Sequence, residues 1–332
     1  MRWALIGASD IAETRVIEAL RKRNHEVVGV HSSSAERGAA FASRNQLEKH
    51  TNSLEELLSW DIDAVYISTT NELHAQQAIA AAKAHKHILC EKPLAMTAAD
   101  AEEMIATAKE NHVVLATNHH LRNSARNAAI KDLISKGAIG RVHSMQVNHV
   151  VSLPERLRGW RLANPEKGAG VILDITVHNL DLVRFLLGEE MVSVVAVASN
   201  DGFKAPGVED ESVCIFTTES GILVTTHESF NVQHSVPSLE VFGSDGTIFA
   251  TRVLSQDPVG DVYLRTSAGE QKVEITPQEN LYTTLLEKFE LAVLTGSKPA
   301  SSGEDGMQAV VGALAALKSA AENRRVLLEE VK

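Results

Sequence analysis

The segment Leu5-Ile6-Gly7-Ala8-Ser9-Asp10-Ile11-Ala12 decides the fold, because it joins an apolar run to a segment with helical spacing. A dinucleotide-binding turn reads G-x-G-x-x-G/A here, and its small residues let backbone N–H groups approach a pyrophosphate at a helix N-terminus. Gly7 and Ala12 match that pattern, whereas Ser9 replaces its second glycine. The turn alone is a weak signal, and an ordinary strand-to-helix turn is the alternative.

The first third of the chain alternates short apolar runs with Ala-rich helical segments. The apolar runs are 3–8, 27–30, 64–68, 87–90 and 113–117. Helical spacing is clearest at 72–84 and at 98–111, and Thr97 is the predicted N-cap of the second segment. Strands that alternate with helices form a parallel sheet covered on both faces, and right-handed connections make it doubly wound. We therefore predict a Rossmann-type α/β domain over residues 1–120.

The pattern changes after residue 120. Helices are predicted over 124–136 and 174–187, with a strand over 141–151 and an ordered loop over 152–170. Strand-like runs follow one another from 191 to 276, and two helices come near 281–294 and 306–323. Consecutive strands without helices form a mainly antiparallel sheet. Residues 121–332 are thus predicted to be an α+β domain with a large, mainly antiparallel sheet, which can form a homodimer through an open face or leave the chain a monomer.

Composition narrows the class of protein. The 332 residues are 44% hydrophobic and 23% charged, which is typical of a soluble globular chain of about two domains. The net charge of −11 disfavours binding to nucleic acid. The two cysteines form neither a disulfide framework nor a zinc spacing, and no run of about 18 apolar residues offers a membrane span. We expect a cytoplasmic protein with a small-molecule substrate and no nucleic-acid or membrane partner.

Serines and an arginine follow the second predicted strand. The segment His31-Ser32-Ser33-Ser34-Ala35-Glu36-Arg37 has no acid at 31–35, where an NAD site usually places one to bind the ribose hydroxyls. Serine hydroxyls and an arginine fork can instead bind a 2′-phosphate. A Ser-rich loop with a solvated arginine is the alternative. The segment favours NADP(H) as the cofactor.

Further motifs resemble one enzyme family. They are Thr69-Thr70-Asn71-Glu72-Leu73-His74, Glu91-Lys92-Pro93, Asn118-His119-His120-Leu121-Arg122-Asn123, and GAGVILDITVH at 168–178, which is similar to G-G-G-x-L-x-D-x-x-x-H with Ala169 in place of the middle glycine. With the turn at Gly7 they span residues 7–181 in order. The chain resembles the glucose–fructose oxidoreductase/inositol dehydrogenase (Gfo/Idh/MocA) family.

This resemblance implies an oxidoreductase that acts on the CH–OH or C=O groups of carbohydrates. Several stretches resemble the bacterial members that reduce a sugar ketone with NADPH, which implies conversion of 1,5-anhydro-D-fructose to 1,5-anhydro-D-mannitol. Oxidation of inositol, or of another cyclic polyol or aldose, is the alternative activity. An NADP-binding sensor or scaffold is the alternative outside catalysis.

The motifs and the resemblance together imply two sets of binding residues. Cofactor contacts are expected from Gly7, Ala8, Ser9, Asp10, Ile11, Ser32, Ser33, Arg37, Thr69, Thr70, Asn71, Glu72, His74, Glu91, Lys92, Asn118, Trp160, Arg161 and Tyr282. Substrate contacts are expected from His119, His120, Arg122, Asn123, Trp160, Asp174 and His178. Asp10 would place a carboxylate beside the pyrophosphate turn, and capping of the following helix is its alternative role.

Lys92, Asp174 and His178 are the predicted catalytic residues. Reduction of a ketone needs a proton donor beside the carbonyl oxygen and a group that stabilises the developing alkoxide. Lys92 follows a parallel strand, at the edge where such sheets bind ligands. Asp174 and His178 are four residues apart, so they share a helix face on which a carboxylate can orient a titratable imidazole.

Two other interpretations of Asp174 and His178 stay open. One is a metal site completed by Asp181, which falls on the same helix face. The other is a helix cap beside a hydrogen-bonded buried histidine. Because hydride chemistry with a lysine needs no metal and no further ligand cluster stands out, we predict no metal.

Overall fold

The structure is a computed structural model that describes residues 1–332. Its strands are β1 (Arg2–Ile6), β2 (Glu26–His31), β3 (Lys49–Thr51), β4 (Ala64–Ile67), β5 (His87–Cys90), β6 (Leu115–Thr117), β7 (Val142–Val150), β8 (Met191–Ser199), β9 (Glu211–Thr218), β10 (Leu223–Ser229), β11 (Ser238–Gly243), β12 (Gly246–Thr251), β13 (Asp261–Thr266), β14 (Gly269–Lys272) and β15 (Val326–Leu327). Its α-helices are α1 (Ile17–Lys22), α2 (Ala35–Asn45), α3 (Leu54–Ser59), α4 (His74–Lys83), α5 (Ala98–Glu110), α6 (Ala125–Ser135), α7 (Arg158–Arg161), α8 (Val177–Leu187), α9 (Leu281–Thr295) and α10 (Gly303–Glu322).

The chain forms two compact units, each built from two segments. The first comprises Met1–His119 and Tyr282–Met307, and the second comprises His120–Leu281 and Gln308–Lys332. This division differs from the contiguous domains 1–120 and 121–332 expected from the sequence. The apolar face of α9 explains the difference, because Tyr282, Leu285, Leu286 and Phe289 are buried in the same core as Trp3.

The first unit contains a six-stranded parallel sheet in the order β3-β2-β1-β4-β5-β6. This is the strand order of the dinucleotide-binding fold, and the predicted Rossmann-type domain is confirmed. The predicted cap is also confirmed, because the Thr97 hydroxyl accepts a hydrogen bond from the backbone N–H of Asp100 at 3.0 Å. The sequence pattern did not predict β3 and α3, which are too short to show a period.

The second unit contains a nine-stranded sheet in the order β14-β13-β12-β11-β7-β10-β9-β8-β15. Its neighbouring strands are antiparallel except for the parallel pair β7 and β10, so the predicted mainly antiparallel sheet is confirmed. The helix predicted over 174–187 consists of a π-helical turn, Ile172–Thr176, that continues directly into α8. The predicted loop 152–170 includes the short helix α7.

Apolar side chains alternate between the two faces of the second sheet. On β8, Val194 and Ala196 are buried, whereas Val195 and Val197 are exposed, Val197 to 72%. The period of two places successive side chains on opposite faces, so one face carries the core and the other meets solvent. None of the helices combines the length and the hydropathy that a membrane crossing requires.

Candidate active site

The turn after β1 accepts only glycine at residue 7. Gly7 has φ +115°, and a Cβ atom there would lie 2.8 Å from the Ser68 carbonyl oxygen. The Ser9 hydroxyl accepts a hydrogen bond from the backbone N–H of Ala12 at 3.2 Å and lies 2.7 Å from the Ser68 hydroxyl. Ser9 therefore provides a side-chain cap for the helical segment that follows the turn. The turn forms the cradle that a pyrophosphate group requires.

Arg37, Ser32 and Ser33 converge after β2. Arg37 Nε donates to the Ser32 hydroxyl at 3.0 Å, and Nη2 donates to the Ser33 hydroxyl at 3.3 Å. The fork is held at the start of α2, because the Ser34 hydroxyl caps that helix through the Arg37 N–H. One guanidinium and two hydroxyls, with no acid among residues 31–35, fit a phosphate monoester such as the 2′-phosphate of NADP.

A buried hydrogen-bonded cluster surrounds the residue before Lys92. Glu91 Oε1 accepts from the Tyr66 hydroxyl and from Asn118 Nδ2, both at 2.5 Å, and Oε2 accepts from the Lys92 backbone N–H at 3.3 Å. Burial raises the pKa of Glu91 and raises that of Tyr66 well above its usual value. Asn118 Oδ1 is buried without a hydrogen-bond partner, so it offers an acceptor that suits the carboxamide of a nicotinamide.

His74 connects the motif after β4 to the motif after β5. Its imidazole is fully buried, with Nδ1 2.8 Å from the Pro93 carbonyl oxygen and Nε2 3.3 Å from that of Thr69. Burial lowers the pKa of His74. The ring therefore holds the segment that carries Lys92, and the cofactor contact expected of His74 stays a prediction.

Other expected cofactor contacts of the first unit bond within their own segment or lie in the core. The Thr69 hydroxyl donates to Gln77 at 2.7 Å, and that of Thr70 donates to Glu72 at 2.8 Å. Tyr282, at 1% exposure, belongs to the hydrophobic core, and its hydroxyl helps raise the pKa of Tyr66. Tyr282 thus packs in the core of the first unit, and the cofactor contact expected of it stays a prediction.

Asp174 and His178 each have a partner in the second unit. Arg161 Nε lies 3.3 Å from Asp174 Oδ2, and the guanidinium of Arg161 stacks on the Trp160 ring at 4.8 Å from its centroid. The His178 ring meets the His120 ring edge-on, with centroids 4.9 Å apart. The structure therefore brings together Trp160, Arg161 and Asp174, and it pairs His120 with His178.

Arg122 forms a buried ion pair. Its Nε lies 2.7 Å from Asp181 Oδ2, and its guanidinium carbon lies 5.5 Å from the centroid of the Phe185 ring. This pairing connects the 3₁₀ turn His120–Asn123 to α8, and the substrate contact expected of Arg122 stays a prediction. Asn123 is 3% exposed, and neither amide atom of its side chain has a hydrogen-bond partner, so it can still bind a ligand hydroxyl. His119, also expected to contact substrate, lies in the first unit.

Three residues of these clusters were not predicted from the sequence. Tyr66 and Ser68 lie at the end of an apolar strand, where they resemble ordinary core and turn residues. Glu209 lies just before β9, and its carboxylate accepts a hydrogen bond from the Ile172 backbone N–H, although the two residues are far apart in the sequence. The structure contains no group of three or more His, Cys, Asp or Glu side chains arranged to hold a metal ion.

A Rossmann sheet with a glycine turn after β1, followed by a unit with a large, mainly antiparallel sheet, is typical of NAD(P)-binding oxidoreductases. Residues 1–119 match the model of an oxidoreductase family with an NAD-binding Rossmann fold, and residues 127–249 match the GFO/IDH/MocA C-terminal domain. The chain belongs to the Gfo/Idh/MocA family of oxidoreductases.

Relatives of known name are similar to the chain over most of its length. A 1,5-anhydro-D-fructose reductase from Ensifer adhaerens is 46% identical over 99% of this chain and 98% of the relative. A myo-inositol 2-dehydrogenase from Thermotoga maritima is 33% identical over 82% of this chain and 81% of the relative. The structure of an aldose–aldose oxidoreductase from Caulobacter crescentus, complexed with glycerol, superposes with a TM-score of 0.90 at 26% identity, covering 98% of this chain and 99% of that one.

Proposed function

We propose that this protein reduces a sugar ketone with NADPH, and that its substrate is 1,5-anhydro-D-fructose, which becomes 1,5-anhydro-D-mannitol. The observation that carries the proposal is the similarity to the Ensifer adhaerens reductase, which extends over 99% of the chain. Lys92, Asp174 and His178 supply the residue types that reduction of a ketone needs.

The preference for NADPH rests on the loop after β2. Arg37 is already oriented by Ser32 and Ser33, so little side-chain entropy is lost when the three groups bind a phosphate. The turn from Gly7 to Ile11 would hold the pyrophosphate, and Asn118 would hold the carboxamide. When bound, the reduced nicotinamide supplies the hydride that the carbonyl carbon accepts.

The other roles in the reaction are those of Lys92, His178 and Asp174. Lys92 binds the carbonyl oxygen and stabilises the negative charge that develops on it. His178 donates a proton from its imidazole to that oxygen and is reprotonated from solvent. Asp174, with its carboxylate paired to Arg161, orients the imidazole and stabilises its cationic form. His120 limits the rotation of the His178 ring through the edge-on contact.

A steady-state assay with NADPH and a panel of ketoses tests the proposal. Anhydrofructose should give the highest kcat/KM, and the product should be anhydromannitol. If the protein binds NADPH but reduces none of the ketones, it acts as an NADP-binding sensor or scaffold.

Oxidation of a cyclic polyol or aldose is the second candidate activity. The similarity to the Thermotoga maritima myo-inositol 2-dehydrogenase favours it, and the same residues would act in reverse, with His178 as the base. The same assay, run with inositol or glucose and an oxidised cofactor, separates the two. A higher kcat/KM in that direction selects the dehydrogenase.

We also propose that a second copy of the chain covers the open face of the second sheet. Val195, Val197, Val213 and Ile215 expose between 42% and 72% of their surface, and strand register places Val195 opposite Ile215 and Val197 opposite Val213. A contiguous row of β-branched side chains on one face is the kind of surface that a two-fold contact buries.

The cytoplasm is the proposed location, which the two free, buried cysteines support.

A further inference from the structure

Glu209 lies just before β9 and contacts the segment from which Asp174 and His178 extend. Its carboxylate Oε1 accepts a hydrogen bond from the Ile172 backbone N–H at 3.1 Å. Its backbone carbonyl accepts another from the Val171 N–H at 3.0 Å. One residue thus binds two consecutive N–H groups at the start of the helical segment, where such groups have no partner within the helix.

The same carboxylate packs against the α-carbon of Gly170. Gly170 has φ +109°, and a Cβ atom at this position would overlap both carboxylate oxygens of Glu209. Glycine is therefore required for two reasons, the backbone conformation and the space that the carboxylate takes. Any movement of the Glu209 side chain would free this turn to shift.

Gly170 in turn connects the two partners of the Asp174 ion pair. Its N–H donates to the Arg161 carbonyl at 3.1 Å, and its carbonyl accepts from the Asp174 N–H at 3.2 Å. The backbone positions of Arg161 and Asp174 are thus both tied to the residue that Glu209 holds. His178 follows Asp174 by four residues on the same helical segment, so its direction depends on the same turn.

We propose that Glu209 is a positioning residue, which fixes the turn Gly170–Ile172 and thereby the directions of Asp174, Arg161 and His178. This role rests on the proposed function of Asp174 and His178. Glu209 acts through the backbone of the turn, by hydrogen bonding and by packing, without taking part in proton transfer. Burial also raises its pKa to about 7, so this carboxyl has lost hydration that an exposed glutamate keeps.

Two substitutions of nearly equal size separate positioning from packing. Glu209→Gln keeps an oxygen that accepts from Ile172, whereas Glu209→Met fills the space without an acceptor. We expect Glu209→Met to lower kcat about 10- to 100-fold, because small misplacements of catalytic groups have effects of this size. Glu209→Gln should restore most of kcat, because its amide oxygen still accepts the hydrogen bond from the Ile172 backbone N–H. Glu219→Met, at an exposed position, is the control.

A measurement without turnover separates this proposal from the proposed function. Histidine-labelled protein gives an NMR signal for His178, assigned by its loss in His178→Ala. Glu209→Met should displace that signal, and Glu209→Gln and Glu219→Met should leave it near its wild-type position. If the signal moves as expected while no sugar is turned over, positioning stands and the proposed function fails. An unmoved His178 signal in Glu209→Met, or equal kcat in the Met and Gln variants, overturns the positioning role.

Discussion

Arg37 determines the choice of cofactor through a single guanidinium group. Arg37→Ala should weaken NADPH binding about 10- to 100-fold, because a hydrogen bond to a charged group contributes about 1.5–3 kcal/mol. NADH has no 2′-phosphate, so its binding should change little. Ser32→Asp should move the preference toward NADH, since a carboxylate binds ribose hydroxyls and repels a phosphate. The measurement is kcat/KM with each cofactor. Arg44→Ala, later in the same helix, is the control, and a wild-type preference for NADH would refute the assignment.

Substitutions of the three proposed catalytic residues should lower kcat by different amounts. Lys92→Met should lower kcat by several powers of ten, because it removes the charge that stabilises the developing alkoxide. His178→Ala should lower it about 10²–10⁴-fold, the usual contribution of a general acid, and should flatten the pH–rate profile. Asp174→Asn should have the smallest effect, because the donor remains. Single-turnover oxidation of NADPH with saturating ketone measures all three.

The same single-turnover experiment includes a control variant and a test for a catalytic metal ion. Lys83→Met changes an exposed lysine of the same unit and should leave the rate unchanged. Near wild-type rates in both Lys92→Met and His178→Ala would show that other groups move the proton. Activity that is lost with a chelator and restored by zinc would select the metal interpretation of Asp174 and His178.

At the scale of secondary structure, the ion pair Arg122–Asp181 secures the turn His120–Asn123 to α8. Both side chains are almost fully buried, at 9% and 1% exposure. Removing one partner of a buried ion pair is strongly destabilising, so Asp181→Ala should lower the free energy of unfolding by about 3–5 kcal/mol. Arg122→Met combined with Asp181→Leu should be far closer to wild type, because neither charge is left alone. Urea unfolding of the single and double variants checks this, and equal losses would contradict it.

Glu209, just before β9, should make the free energy of unfolding depend on pH. Its pKa in the folded chain is about 7, above the usual 4.5, so folding favours the protonated carboxyl. The stabilisation is complete below about pH 4.5 and is lost as the pH rises through about 7. The full loss is about 3 kcal/mol, because the pKa rises from 4.5 to about 7 and each unit corresponds to about 1.36 kcal/mol. Glu209→Gln should make the slope smaller, and the part that stays belongs to the other buried glutamates, Glu91 and Glu228, whose pKa values burial also raises. The free energy of unfolding at pH 5.5 and pH 8 measures it, with Glu219→Gln as control, and parallel profiles for Glu209→Gln and wild type would contradict it.

Sequence patterns predict the helices and strands better than they predict the contacts between distant segments. Apolar alternation and the Thr97 cap are local, so both sheets and most helices could be inferred. The three residues of β3 are too few to show a pattern. The pairing of Arg161 with Asp174 and the contact of Glu209 with Ile172 were not predicted, because both depend on how distant segments pack within the second unit.

At the scale of the whole molecule, the proposed catalytic residues belong to two units, and each unit consists of two separate segments of the chain. Residues 1–119 supply Lys92 and the cofactor turn, residues 120–281 supply Asp174 and His178, and residues 282–307 return to the first unit. If Lys92 and His178 act on the same carbonyl, their substitutions should not be additive in kcat. Neither unit is then expected to be active as a separately expressed piece.

The open face of the second sheet should decide the oligomeric state. Val197→Lys and Val213→Lys place charges at two positions that register sets side by side, so in a two-fold contact each charge would meet its copy or an apolar side chain. Burying one valine contributes about 1.5–3 kcal/mol, so each change should weaken the dimer by at least about tenfold. Sedimentation velocity at several micromolar concentrations should show a wild-type dimer and monomeric variants, with the monomer still binding NADPH. Val259→Lys introduces the same charge at an exposed loop valine outside this sheet face, and it should stay dimeric. A wild-type monomer at every concentration would show that this apolar face remains in contact with solvent.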